Sequence, residues 1–219
     1  MKRFWIVCLW MGFALFCIPI QSQETKRPMV VLDPGHGGVD TGAIGVNGIK
    51  EKDIVLEVAK EAIQLNKELF RNTLNIYLTR YKDTLISLSD RTSLVKALQP
   101  DVFISIHCNQ AKRKTAQGIE VYVQQPNSNT DFDLQSKSEN LSDAILSEFD
   151  MALGFKIGGM KYANFQVLRD TQYVCPGVLL EVGFLSNWEE AEHSRKKEGV
   201  VGFAMAVLQV LYQNFKLQG

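Results

Sequence analysis

The chain has 219 residues, 46% of them hydrophobic, with 24 basic and 24 acidic side chains. That is enough to bury a real core in one domain, and a formal net charge of zero leaves no electrostatic footprint for nucleic acid. Of the four cysteines, Cys8 and Cys17 lie in the first apolar stretch, so the rest of the chain is no disulfide scaffold.

Lys2 and Arg3 precede an uncharged apolar run from Phe4 to Ile20, followed by Gln21-Ser22-Gln23-Glu24. This predicts a secretory signal peptide over residues 1–22, cut after the small Ser22, and a single domain over residues 23–219. The run spans about 17 residues, near the lower limit for a membrane span, so a retained anchor is the alternative. A lipid on Cys17 is disfavoured by Phe16, where lipoprotein processing wants a small residue. Without the leader, 22 basic and 24 acidic residues remain, because only Lys2 and Arg3 leave with it. Cys108 and Cys175 also remain. They read as two small, partly buried thiols or, since export permits it, as one disulfide; sequence does not supply the Cα separation a bridge needs.

Met29–Asp33 predicts the first strand. Residues 34–48 form a loop with glycines at 35, 37, 38, 42, 45 and 48, which lets backbone approach a ligand closely. Residues 53–70 carry apolar side chains at helical spacing, 74–79 reads as a strand ending at Arg80, and 88–98 as a helix capped by Ser87 or Ser89 and stopped by Pro100. Strands follow at 102–106 and 118–123, then a surface loop at 124–130. A long amphipathic helix over 134–153 ends at Gly154. The last strands are expected at 165–168 and 178–182, and a closing helix at 198–215. Strands alternating with helices predict an α/β fold.

Three short pieces suggest one metal site. His36, in Asp-Pro-Gly-His-Gly-Gly, and His107, in Ser-Ile-His-Cys-Asn, each follow a strand-like run. In open α/β sheets such positions converge where strands end and ligands bind. Two imidazoles and a carboxylate are a common catalytic zinc set. Asp33 is close enough in sequence to support His36, as ligand histidines usually require. Glu51 is a weaker candidate: it sits with Asp53 and Glu57 at a helix start, where a carboxylate simply complements the macrodipole, and spacing does not choose among the three. Glu181 lies within Gly-Val-Leu-Leu-Glu-Val-Gly-Phe-Leu, where a lone charge must reach a metal, a rim or a cation such as Arg80 or Arg169. Asn109 either orients substrate or caps the turn. Glu120 reads as a polar strand face, and His193, in a charged stretch, as surface.

These landmarks in this order, together with Leu78-Thr79-Arg80 and Leu180-Glu-Val-Gly-Phe-Leu-Ser-Asn187, resemble the zinc-dependent N-acetylmuramoyl-L-alanine amidases of the amidase-3 family over roughly residues 29–215. The resemblance implies a mixed, mostly parallel six-stranded sheet flanked by helices on both faces. It implies one Zn2+ held by His36, Glu51 and His107, and Glu181 as the catalytic carboxylate. It further implies a peptidoglycan hydrolase of the periplasm or cell envelope that cuts the amide between N-acetylmuramic acid and L-alanine, in wall remodelling or daughter-cell separation. No stable membrane association is expected after leader cleavage. Arg80 and Asn109 are further candidates for contacting substrate. Cys108 stands where the family usually has a small residue. Some relatives carry an inhibitory helix before the last strands; the short 124–159 segment predicts an open site that does not require an activator protein. Two competing readings stay open: a wall-peptide binder that does not cut, and a zinc peptidase acting within the stem peptide.

Overall fold

The computed structural model describes residues 26–216; the leader expected over residues 1–22 lies outside them. Six strands form one sheet in the order β2-β1-β3-β6-β4-β5. They are β1 (Met29–Pro34), β2 (Asn75–Leu78), β3 (Val102–Asn109), β4 (Ile119–Gln124), β5 (Ile157–Ala163) and β6 (Gly177–Phe184). Every neighbouring pair is parallel except β4 with β6. The helices are α1 (Glu51–Glu68), α2 (Leu88–Leu98), α3 (Phe132–Leu153), the single turn α4 (Gln166–Arg169), α5 (Trp188–Arg195) and α6 (Lys197–Lys216). The mixed, mostly parallel sheet with helices on both faces is the one the family resemblance implies, and it bears out the α/β alternation read from the sequence.

Side-chain alternation along the central strands explains the layers. Val30 and Leu32, Ile104 and Ile106, and Val178 and Leu180 point to one face, where α1, α3 and α6 cover them in the main core. Val31, Phe103 and Leu179 point to the other face and meet a smaller cluster with Val95 of α2 and Val167 and Leu168 of α4. The thin face is where the sheet is left accessible. The chain leaves β1 through α1 on one face and reaches β3 through α2 on the other, so the helices diverge above the carboxyl ends of β1 and β3. That is the switch-point crevice of an open α/β sheet.

Local chemistry sets several boundaries. Ser87 accepts from Asp90 N–H and caps α2, and Gly154 ends α3 in the left-handed conformation at φ 66°. One strand is misplaced by the sequence reading. Phe165 caps α4 and residues 166–168 lie within it, and the fifth strand lies at Ile157–Ala163. Val167 and Leu168 are apolar because one helical turn buries them on the thin face. The true β5 is an edge strand with little burial, and its Gly158-Gly159 pair reads locally as loop.

The thiol alternative holds for the two cysteines, and one further reading is corrected. Cys108 and Cys175 are free thiols; they sit in the two clusters on opposite faces of the sheet, so no bridge can join them. His193 is no surface residue: its ring packs against Phe155 and Phe203 at centroid distances of 5.2 and 5.4 Å. Among the described residues no helix is long and apolar enough to cross a membrane.

Candidate metal centre and active site

His36 follows β1, His107 lies near the end of β3, and Glu51 is the first residue of α1. Their nearest ligand atoms all fall within 4.8 Å of one another. Glu51 Oε1 stands between the imidazoles, 3.1 Å from His36 Nε2 and 2.9 Å from His107 Nδ1. It also accepts the Cys108 backbone N–H, while Oε2 accepts from Ala43 N–H. Asp53 and Glu57, which spacing left level with Glu51, are not part of this group.

The glycine loop makes that convergence possible. A Cβ on Gly35 would stand 2.3 Å from His107 Cε1, and one on Gly42 would stand 2.4 Å from Glu51 Oε2 and 2.6 Å from His36 Cδ2. His36 itself holds φ 58°, an uncommon left-handed conformation for a residue with a side chain. Two buried arginines clamp the backbone around it. Arg91 donates to the carbonyls of Pro34 and His36 at 2.8 and 2.6 Å. Arg80 donates to those of Pro34, Gly35 and Lys52 at 2.9, 2.8 and 2.8 Å.

Asp33 therefore supports His36 only indirectly. Its carboxylate pairs with Arg91 and accepts from Thr79 and Ser105. The partner of His36 Nδ1 is Asp40, at 2.8 Å, which leaves Nε2 facing Glu51. Arg80 is 2% exposed and spends its guanidinium on backbone carbonyls, so the structure places it beneath the loop rather than against substrate.

The electrostatics suit a cation. The hydrogen bond to Glu51 pushes His36 up to about 9, against the opposing pull of burial. Burial works against ionising Glu51, but the hydrogen bonds and charges of His107 and His36 win and hold it well below the usual carboxylate range. An anionic oxygen flanked by two imidazoles is the donor set a divalent metal would take over from protons.

Glu181 differs. It is the register partner of His107 on β6, it makes no ion pair among the described residues, and its Oε2 is buried without a hydrogen-bond partner there. Neither Arg80 nor Arg169, which pairs with Asp170, neutralises it. Burial pushes Glu181 up to about 7; His107 opposes this, and the charges of Glu51 and Glu120 reinforce it. Across the antiparallel ladder its partner is Glu120. Glu120 is 8% exposed, more than a polar strand face. It accepts from Asn109 Nδ2 at 2.9 Å and Tyr122 OH at 2.8 Å, and pairs with Lys161. Asn109 is thus fixed beside Glu181 rather than serving only as a turn cap.

A cleft of about 450 Å³ opens beside this group on the thin face, with Leu85, Leu88, Phe165, Val167 and Leu179 as apolar wall and His36, His107 and Glu181 at its polar end. It combines an apolar wall with a few convergent polar groups and a shifted carboxyl, the pattern of a reaction site.

The sequence profile of Amidase_3, described as N-acetylmuramoyl-L-alanine amidase, matches residues 30–212. The chain belongs to the Amidase_3 family. Similar proteins include the N-acetylmuramoyl-L-alanine amidase AmiC of Neisseria meningitidis, 30% identical over 77% of this chain and 48% of its own. LytC of Bacillus subtilis, an amidase of the same name, is 33% identical over 82% of this chain and 34% of its own. The chain thus spans half or less of the length of these two relatives. Among solved structures, the catalytic domain of the amidase CwlV from Bacillus (Paenibacillus) polymyxa var. colistinus superposes with a TM-score of 0.75 and 30% identity, over 86% of this chain and 98% of that one.

The sequence reading missed Asp40 and Arg91. For Arg91 a signal exists: with Thr92 and Val95 it lies on the inner stripe of α2, and a guanidinium on an apolar stripe must find acceptors.

Proposed function

We propose that this chain is a zinc-dependent peptidoglycan amidase that hydrolyses the amide between N-acetylmuramic acid and L-alanine of the stem peptide. The observation that carries the reading is Glu181: an unpaired, half-buried carboxyl in register with the ligand candidate His107. Family membership supplies the reaction class.

His36, Glu51 and His107 would hold the ion. When bound, zinc supplies Lewis acidity at the scissile carbonyl and lowers the pKa of water to about 7. Glu181 takes the proton of the attacking water. Its raised proton affinity then lets it return that proton to the leaving amine. Asp40 keeps the His36 ring oriented, and Arg91 keeps the loop that carries it in place. Asn109, tied down by Glu120, offers its second amide hydrogen to substrate beside Glu181.

We further propose that residues 1–22 are a leader, that 23–219 form one catalytic domain, and that the protein works in the periplasm or cell envelope. The site needs no activating partner in this reading. α3, the element in the segment where an inhibitory helix would lie, buries Leu141, Ile145 and Phe149 in the main core, on the face away from the cleft.

Digestion of purified sacculi tests the function. Lactyl-ended glycan together with intact stem peptide is the expected product. Peptides cut internally would make the protein a peptidase, and binding without release would make it a recognition protein.

A further inference from the structure

Glu181 and Glu120 are register partners, and beyond them Glu120 pairs with Gly159 and Tyr122 with Lys161. His107, Glu181 and Glu120 therefore form one row across β3, β6 and β4 on the thin face. The metal-ligand candidates occupy the β1–β3 side of that row. On the β4–β5 side stands a built polar group: Glu120, its donors Asn109 and Tyr122, and Lys161, whose side chain is 42% exposed. Close fitting backs it, since a Cβ on Gly158 would stand 2.6 Å from Glu120 Cγ. Tyr122 carries Phe165 edge-on at 5.3 Å, and the Lys161 ammonium lies 5.8 Å from the Tyr122 ring centre. The proposed reaction gives none of Glu120, Tyr122 or Lys161 a contact with substrate.

The direction of the leaving group follows from the reaction. Glu181 protonates the leaving amine, so the leaving chain begins over Glu181. With the ligand side occupied, it runs over β4 toward β5, past Tyr122 and Phe165. The cation facing that path is Lys161. Glu120 engages one of its three N–H donors and leaves two for a ligand. Glu120 stands about one strand spacing, ~5 Å, from Glu181, and the ammonium bonded to it lies one hydrogen bond farther toward β5. Chain geometry puts a carboxylate on the second leaving residue within roughly 7 Å of the scissile nitrogen. The two spans match.

We propose that Lys161, held by Glu120 and walled by Tyr122, is a specificity-determining subsite for a free carboxylate on the second residue of the leaving peptide. This rests on the amidase reading above. Two measurements on the mature, zinc-loaded protein test it. The first compares turnover of muramoyl dipeptides whose second residue carries a free carboxylate or its carboxamide. Wild type should prefer the acid by about tenfold in kcat/KM, the low end for a charge-assisted bond because Lys161 is partly exposed, and the preference should shrink with salt. Lys161→Met should bring the ratio close to one, while Lys161→Arg keeps most of it, which separates lost charge from a damaged fold.

The second measurement needs no turnover. Calorimetry with the free dipeptide in acid and amide forms should show the same preference and the same dependence on Lys161. Acid-selective binding without cleavage would sink the amidase reading and leave the subsite standing. Cleavage with equal rates for acid and amide, or no acid preference in binding up to millimolar dipeptide, would overturn the subsite.

Discussion

His107 and Glu181 are register partners on the adjacent strands β3 and β6, so a metal-ligand candidate and the proposed base stand side by side on one face of the sheet. The pairing is set by backbone hydrogen bonds. Substituting Glu181 should therefore leave the ligand group intact, which makes the base separable from the metal site by mutation.

Glu181→Gln should keep one zinc per chain and lose 10²–10⁴-fold in turnover, the usual cost of removing a general base. The swap is near-isosteric. Metal analysis alongside kinetics checks it, and loss of zinc with activity would make Glu181 a fourth ligand. The acidic limb of the wild-type pH profile should lie between the ordinary carboxylate range and about 7, since a bound dication draws the value down.

The same substitution should stabilise the metal-free protein. With its folded pKa raised from 4.5 to about 7, Glu181 binds its proton more tightly when folded. Its penalty is absent below pH 4.5, grows as pH rises from there to 7, and is complete above 7. Glu181→Gln should melt above wild type at pH 8, with the gap closing toward pH 4.5. Thermal melts across that range decide, and an equal or lower Tm at pH 8 contradicts the burial argument.

Metal binding should expel a proton. In the metal-free site His36, pushed up to about 9, is protonated at neutral pH, and a ligand imidazole must be neutral. Well below pH 9 zinc uptake should release close to one proton from His36, falling to about half at pH 9 and vanishing above it. Calorimetry in buffers of differing ionisation enthalpy measures it. His36→Ala and His107→Ala should each lose most of the bound zinc; full retention in either would refute the ligand assignment.

Arg91→Met should be severe. It leaves Asp33, 1% exposed, without its partner and frees the carbonyls of Pro34 and His36. Breaking a buried pair costs about 3–5 kcal/mol, a fall in Tm on the order of 10 °C for a domain of this size. Zinc affinity should drop as well, because His36 holds its unusual φ only while clamped. A well-folded variant with unaltered zinc affinity would remove Arg91 from this role.

Cys108 and Cys175 should resist thiol reagents in the native protein and react on denaturation. Burial raises the Cys175 thiol to about 12 and the Cys108 thiol well above its ordinary value. Reducing agent should leave the Tm of the leaderless protein unchanged, and any shift would point to a disulfide.

What the sequence determined by itself was whatever depends on near neighbours in the chain. The apolar runs of β1, β3 and β6, the helical spacing of α1, the Ser87 cap and the Gly154 stop are local signals, and they predict those elements to within a few residues. His36, His107 and Glu181 are legible for the same reason, as polar residues after or inside apolar strand runs. Only the tertiary structure decided the rest. Glu51 is told from Asp53 and Glu57 by where α1 docks against the loop at Gly42, a contact no local spacing encodes. Edge strand β5 has little burial of its own, so its identity comes from pairing with β4. The two cysteines lie on opposite faces because of their places in the packed sheet. Arg80 and Arg91 become a backbone clamp because the fold brings the carbonyls of Pro34, Gly35 and His36 to them across more than 40 residues of chain. Hydrogen-bond partners that distant are chosen by packing, since burying a guanidinium is tolerable only where the folded chain presents acceptors to it.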